Sequence, residues 1–167
     1  MACNNVESIL FDCGDKTIGG IDAVYLTDRD NIVTETPNTT AWTMSLSAST
    51  TLETVEFRKN SGSYTEDYTR DNAGAVIYNK TITIPLHGRD AGKSRKINIL
   101  GEGQRRLAII VKMNSGEYVY FEDMQLETVA DGSGAAKAEG SKYTITFQGE
   151  AENLSYFMDE ADVLALI

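Results

Sequence analysis

The sequence predicts a mainly β, single-domain protein: a β-sandwich or barrel-like domain with one flanking α-helix at about residues 90–100 and a long arm or loop. Three observations support this fold class. The chain has 167 residues, which is enough for one domain with its own core. Its 14 Gly and 8 Tyr are typical of strands and turns. Apolar residues recur with a period of two in several segments, and a single segment has helix signals.

The clearest strand lies at residues 75–86. Its apolar side chains share one parity, which only Lys80 interrupts: Val76, Tyr78, Ile82, Ile84 and Leu86. A period of two over this length predicts a strand that is buried on one face. Pro85 cannot donate a hydrogen bond to a neighbouring strand, so we expect the end of this strand to be an edge or to leave the sheet.

A second strong signal is the apolar run at residues 106–112, which predicts a central strand buried on both faces. The turn Asn114-Ser115-Gly116 follows, and residues 117–126 form the expected hairpin partner with Tyr118, Tyr120 and Met124 on one parity. Weaker strand patterns occupy the rest of the predicted sheet structure, at residues 21–27, 32–34, 41–49, 54–58, 142–148 and about 154–156.

The predicted helix spans about residues 90–100. Asp90 is a suitable N-cap, and Gly101 is expected to end the helix. Three apolar side chains can face the sheet (Ala91, Ile97 and Leu100), while three basic ones face outward (Lys93, Arg95 and Lys96).

Two segments lack a packing pattern. Residues 59–74 are polar and charged, and we expect a long loop or an extended hairpin arm with its side chains pointing outward. Residues 127–141 are rich in small side chains and are expected to form a flexible loop. The apolar C-terminal residues 163–167 are expected to dock on their own domain or on a neighbouring molecule.

Charge is unevenly distributed along the chain. Residues 88–112 carry seven basic and two acidic side chains, whereas the preceding part has 12 acids and 6 bases and the following part 11 acids and 2 bases. The net charge of −10 therefore belongs to an acidic body with one basic belt. Such a molecule repels itself in most orientations but attracts another copy where the belt meets an acidic face.

No constellation for catalysis or metal binding is found in the sequence. The single histidine, His87, lies at the end of a strand, and the chain has no second imidazole to pair with it. Cys3 and Cys13 alone make a poor metal site, so we interpret them as free thiols. Residues 28–31 and 131–134 lack the glutamate that closes a calcium loop and are interpreted as turns. We therefore expect no catalytic residue, no metal and no cofactor.

Other functional classes are disfavoured by composition. Tight nucleic-acid binding needs clustered Lys and Arg, which an acidic surface opposes. No apolar run approaches the length of a membrane span, and the N-terminus lacks the regions of a signal peptide. We expect a protein of a reducing cytoplasm without membrane contact.

Several short segments resemble a small virion structural protein of tailed bacteriophages, as in phages of gut Bacteroidales-type bacteria. They are Leu86-His87-Gly88-Arg89-Asp90, Ile97-Asn98-Ile99-Leu100, Arg105 to Val111, Asn114 to Tyr118, Met1-Ala2-Cys3-Asn4 with Cys13, Gly19-Gly20-Ile21, Gly132 to Ala135, and Tyr143 to Glu150. The matches are scattered over most of the chain, and residues 30–75 show none.

The resemblance implies a tail-tube or head–tail ring subunit that assembles in the host cytoplasm and becomes part of the virion. Its expected partners are further copies in stacked, hexameric rings, other virion proteins, and DNA that passes through the channel without specific binding. The expected subunit interface comprises the side chains of Arg89, Lys93, Arg95, Lys96, Tyr64, Tyr68 and Arg70. The alternative is a carbohydrate- or cell-surface-binding β-sandwich module with Trp42 and tyrosines as stacking platforms.

Overall fold

The computed structural model describes residues 18–70, 73–133 and 140–167, so the expectations for Cys3 and Cys13 lie outside the described residues. The mainly β class and the helix near residues 90–100 are confirmed. The strands are β1 (Ile21–Asp28), β2 (Ile32–Asn38), β3 (Thr43–Ala48), β4 (Glu53–Val55), β5 (Ser63–Arg70), β6 (Val76–His87), β7 (Leu107–Met113), β8 (Tyr118–Ser133), β9 (Ser141–Ala151) and β10 (Tyr156–Met158). The helices are α1 (Ala91–Gly101) and α2 (Glu160–Leu164), and short 3-10 turns lie at Arg29–Asn31 and Glu102–Gln104.

Two sheets share strand β8. The first has the order β2-β3-β10-β8-β7-β1-β4, and the second has β5-β6-β9 followed by the later part of β8. All pairs are antiparallel except β3 with β10. Strand β8 pairs with β7 as far as Met124 and with β9 from Gln125 onward, so it passes from one sheet into the other.

The main core lies between the two sheets. Its fully buried members come from both, for example Ile109 and Phe121 from the first sheet and Ile82 and Phe147 from the second. Helix α1 contributes Ile97 to the same core. Side chains of two sheets in one apolar cluster are the arrangement of a β-sandwich.

A second core covers the opposite face of the first sheet. Met44, Ile110 and Tyr120 belong to it, and the C-terminal segment adds Val163 and Leu166. The C-terminal residues thus dock on their own domain, which was one of the two expected positions, the other being a neighbouring molecule. Leu164 and Ile167 remain 60% and 44% exposed.

Strand β7 is buried on both faces, which confirms the expectation from its continuous apolar run. Leu107, Ile109 and Val111 pack in the core between the sheets, whereas Ala108 and Ile110 pack in the second core. Successive side chains of a strand point to opposite faces, so a strand between two cores needs apolar residues at every position.

Strand β6 shows the expected alternation, with Ile82, Ile84 and Leu86 buried. Pro85 lies beyond Thr83, the last residue that β5 pairs with, so this end of β6 is bonded only to β9. This agrees with the expected edge. Lys80 keeps the inward parity and is buried, with 2% of its surface exposed.

The expected long loop at residues 59–74 is wrong for its central part, whereas the alternative, an extended hairpin arm, is found there. Ser63–Arg70 forms β5, which pairs with β6 over eight successive residues without a bulge. The side chains do not all point outward, because Tyr64 packs edge to face against Phe121 at a centroid distance of 5.2 Å. Backbone hydrogen bonds hold an edge strand whatever its side chains, so its polar sequence carries little strand signal.

The expected loop at residues 127–141 is also wrong for its first part. Strand β8 continues to Ser133, and β9 begins at Ser141. Residues 128–133 pair in register with 141–146, so small polar residues extend a two-stranded ribbon.

A bulge in β8 reverses the expected side of Met124. The residue before it, Asp123, has a φ of 58°, and the register between β7 and β8 shifts here. Met124 therefore packs between the sheets, whereas Tyr118 and Tyr120 point into the second core. An extra residue in one strand changes which side chains share a face, so a constant period of two could not place Met124.

Candidate functional site

Helix α1 is fixed to the sheets by its N-terminal turn. Asp90 caps it by accepting a hydrogen bond of 2.8 Å from the Lys93 backbone N–H, which lowers the pKa of the Asp90 carboxyl. The Lys93 ammonium donates to the carbonyl oxygens of His87 and Gly88, at 2.8 and 2.9 Å. The Lys93 side chain is 41% exposed, so it faces outward as expected, but its ammonium is bonded to the preceding backbone.

The rest of α1 separates an inner from an outer face. Ile97 is buried in the main core, and Ser94 shares a hydrogen bond of 2.6 Å with the hydroxyl of Tyr143. Arg95 and Lys96 are exposed, as expected. Ala91 is exposed as well, contrary to the expectation that it faces the sheet, because it lies at the first position of the helix, where the turn projects into solvent.

The basic residues at 88–112 do not form one continuous belt. Arg106 and Lys112 lie at the two ends of β7, and six residues of strand span about 20 Å. Five of the seven bases have an acidic partner in the same molecule: Arg89 with Asp131, Lys93 with Asp90, Arg105 with Asp28, Arg106 with Asp123, and Lys112 with Asp22. Arg95 and Lys96 make no ion pair with the described residues.

The expected interface residues of β5 occupy a different surface. Arg70 pairs in register with Val76 at the beginning of β6, whereas Arg89 follows its end. Eleven residues of strand span about 36 Å, so the structure does not bring these two arginines together.

The tyrosines of β5 differ in accessibility. Tyr64 is half-buried, and burial raises the pKa of its hydroxyl, with smaller contributions from Glu66 and Glu117. Tyr68 is 56% exposed and contacts Tyr78 edge to face. Tyr68 is thus open to a partner, whereas Tyr64 contributes to the core.

One edge of β5 has no strand beside it in the described part of the chain. The strand pairs with β6 on one side only, over its full length of eight residues. Its free edge presents backbone N–H and C=O groups that another strand could pair with.

An acidic groove, which the sequence patterns did not indicate, crosses the outer surface of β8 and β9. It has a volume of about 350 Å³ and is lined by Asp123, Gln125, Glu127, Gln148, Gly149 and Glu150. Asp123 is paired with Arg106, whereas Glu127 and Glu150 are exposed and form no ion pair with the described residues. The sequence signal is weak because the two strands meet here only through long-range pairing, such as Gln125 with Gln148.

Gly149 allows the backbone of β9 to approach the bulge of β8 closely. A Cβ at this position would lie 2.7 Å from the Met124 sulfur and 2.9 Å from the Asp123 carbonyl oxygen. The groove floor therefore depends on the missing side chain of one residue.

A buried polar cluster joins β5, β6 and β8. Lys80 lies opposite Glu66 in register, and its burial lowers the pKa of its ammonium, while Glu66 and Glu122 act in the opposite direction. Glu66 also accepts a hydrogen bond of 3.1 Å from the backbone N–H of Ser155. The cluster fixes β5 to the segment before β10.

Among the described residues, no three His, Cys, Asp or Glu side chains are grouped in a way that could hold a metal ion. Neither helix of the described segments has the length and apolar composition needed to cross a membrane. The chain matches no protein-family model, and no curated protein sequence matches it either.

Proposed function

We propose that this protein is a self-assembling structural subunit of a phage tail tube or head–tail ring that lines a DNA channel. Further copies in stacked, hexameric rings and other virion proteins are its partners, and the virion is its final location. The observation that carries the proposal is the edge of β5 that no described strand covers, which is eight residues long and has neither a proline nor a bulge.

A free edge of this length favours a protein partner. Unpaired N–H and C=O groups of a regular strand are a template for an added strand, and proteins that stay monomeric tend to block such edges. The exposed Asp67 brings negative charge to β5, and Arg70 brings positive charge to its end. These charges disfavour random pairing but permit a partner with matching charges.

The charge of the whole molecule supports the proposal that the subunit lines a DNA channel. At a net charge of −10, the surface repels phosphate groups. A channel wall of this kind lets DNA pass without holding it, which agrees with the resemblance to virion structural proteins.

The alternative is a carbohydrate- or cell-surface-binding module, which would use Trp42 as a stacking platform. The Trp42 ring stacks on Tyr156 at a centroid distance of 4.8 Å, and its indole N–H donates to the Ser155 carbonyl oxygen at 3.2 Å. One face of the ring and its polar group thus already have partners within the protein, which favours a packing role.

Negative-stain microscopy and sedimentation velocity of the purified protein at increasing concentration test the proposal. We expect rings or short tubes, together with a concentration-dependent rise in the sedimentation coefficient. A protein that stays monomeric at high concentration would contradict the proposal, and retention of such a monomer on a glycan array would favour the alternative.

A pair of variants tests the β5 edge itself. Thr65→Lys with Thr69→Lys adds two charges to exposed positions of β5, and Lys is a residue that protects free edges. Thr50→Lys with Thr51→Lys makes the same change of charge on exposed residues outside the strand. We expect the first variant to lose assembly and the second to retain it. Equal assembly of both would exclude the β5 edge as the contact.

A further inference from the structure

We infer that the outer face of α1 docks in the acidic groove of a second copy of this chain, with Arg95 and Lys96 facing Glu127 and Glu150. The inference rests on the proposed self-assembly and identifies one of its contacts. It concerns a surface separate from the β5 edge.

The outer face of the helix is a basic surface that no described residue pairs with. Five of the seven bases at residues 88–112 are held by carboxylates of the same molecule, and the remaining two are Arg95 and Lys96 on the exposed side of α1. The anchored inner face fixes the orientation of the helix, because Ile97 is buried and Ser94 is bonded to Tyr143, and so keeps these two residues on its outer side. Two free cations on one surface are suited to two anions on another.

The groove offers the complementary charge. Glu127 on β8 and Glu150 on β9 are exposed and have no basic partner in the described parts of the chain, while Arg106 already neutralises Asp123. Gln125 and Gln148 lie between these carboxylates and can accept further hydrogen bonds from a guanidinium. The open volume of about 350 Å³ admits the ends of two long side chains.

The helix cannot reach the groove of its own molecule. Leu126 packs toward the main core, where its side chain lies 3.3 Å from the position that a Cβ would take on Gly101 at the end of α1. Gln125 points to the opposite face of β8. Glu127, at the bulge between Leu126 and Thr128, lines the groove on that same face together with Gln125. The two surfaces thus lie on opposite sides of the sheet, so the contact joins different copies.

A contact between two different surfaces is head-to-tail. Each copy that uses its helix face still presents its groove, so addition continues until a ring closes or a helical filament grows. This geometry agrees with the ring form of the proposed function.

A second copy is favoured over nucleic acid as the occupant. The two free cations of the helix face, on a molecule with a net charge of −10, are too few for phosphate binding, which depends on the number of neutralised phosphates. The same net charge means that every copy carries many carboxylates.

Charge-reversal variants test the contact. Arg95→Glu with Lys96→Glu reverses the helix face, and Glu127→Arg with Glu150→Lys reverses the groove. Each variant should need about tenfold more protein for half-assembly, or should fail to assemble, because like charges meet. The variant that carries all four changes should recover assembly, since the pairs are again opposite in sign. All affected positions are exposed, so circular dichroism should show an unchanged fold.

The matched control is Arg58→Glu with Lys142→Glu, which makes the same change of net charge on two exposed bases that form no ion pair with the described residues. We expect it to assemble more readily than the helix variant. Equal loss of assembly in the helix variant and the control, or failure of the fourfold variant to recover assembly, would overturn the inference. The proposed function would still stand in that case, provided that the parent protein assembles. A parent that never assembles would contradict the proposed function itself. A parent that binds duplex DNA through Arg95 and Lys96 would overturn the choice of a second copy as the occupant.

Discussion

At the scale of single residues, a few side chains decide how the strands come together. Gly149 permits close contact between β9 and the bulge at Asp123, and Lys80 occupies a buried position in an otherwise apolar row. Both are exceptions to the pattern of their strands. Substitution of either residue should change the free energy of unfolding by a measurable amount.

Gly149→Ala should destabilise the protein by about 1–3 kcal/mol, because the new Cβ would press on a backbone oxygen that cannot move without disturbing the bulge. Urea denaturation measures the loss. Gly132→Ala is the matched control, since nothing lies within 4 Å of its added Cβ. Equal stability of both variants would show that the close approach at Gly149 costs nothing.

Lys80 should make the stability depend on pH. Burial lowers the pKa of Lys80 below 10.5 in the folded state, so the unfolded chain binds more protons than the folded one between the folded pKa and 10.5. Stability gains from Lys80 as the pH rises through that window. The tyrosines with raised pKa values act in the opposite direction above about pH 10, so the comparison must isolate the lysine.

Lys80→Met provides that comparison. The difference in unfolding free energy between the parent and Lys80→Met should shift in favour of the parent as the pH rises toward 10.5, as measured by urea denaturation at several pH values. A difference that stays constant with pH would show that Lys80 has the same pKa in both states.

At the scale of elements, the core strands are defined by their side chains and the edge strand by its backbone. Strand β7 is apolar at every position of its buried part, because both of its faces are covered. Strand β5 has one half-buried tyrosine, Tyr64, one exposed tyrosine, Tyr68, and otherwise polar residues, and the ladder with β6 holds it. The two kinds of strand should respond differently to substitution and to proteolysis.

Truncation of the core strands should be costly. Ile109→Ala and Phe147→Ala should each lower the unfolding free energy by roughly 2–5 kcal/mol, because both side chains are fully buried between the sheets. Thermal denaturation checks this. Val33→Ala, at a position that is 64% exposed, should change stability by less than about 0.5 kcal/mol. A midpoint within a degree or two of the parent for either core variant would contradict its inward position.

Proteolysis should report on the surroundings of β5. Arg58 and Lys59 lie in an exposed loop before the strand, and Arg70 lies at its end. Trypsin should cleave at these sites in the free subunit and spare them in the assembly, where a neighbour covers the edge. Mass spectrometry of the fragments identifies the sites. Identical cleavage in both states would mean that assembly leaves β5 uncovered.

At the scale of the whole molecule, most basic side chains are paired with nearby carboxylates, yet the subunit as a whole is strongly acidic. Most of the bases at residues 88–112 are paired within the subunit, while the net charge stays at −10. Any contact between copies works against a general repulsion, and the contact that we propose offsets it by bringing free cations to carboxylates. This balance makes assembly sensitive to salt in a testable direction.

Salt screens both the general repulsion between copies and the ion pairs of Arg95 and Lys96. Once the repulsion is screened, further salt should weaken assembly through these two residues. Raising the ionic strength from about 0.1 to about 1 M shortens the Debye length from about 10 to about 3 Å, which weakens exposed ion pairs. Light scattering should show dissociation of the parent assembly. The fourfold charge-reversed variant should respond in the same way, and salt-stimulated assembly of both would indicate contacts that are mainly apolar.

The sequence by itself determined the features that depend on short-range pattern. The β-rich class, the alternation of β6, the burial of β7 and the cap of α1 at Asp90 were all predictable, because side-chain period and capping chemistry act over a few neighbouring residues. Of the candidate site, the exposed position of Arg95 and Lys96 followed from the helix alone.

Only the tertiary structure decided which residues meet. It paired β5 with β6 through backbone groups that every residue has, and it turned Met124 inward through a bulge. It also gave five of the basic side chains carboxylates of their own and placed Glu127 and Glu150 along one groove. These outcomes depend on strand register between distant segments, which local composition does not encode.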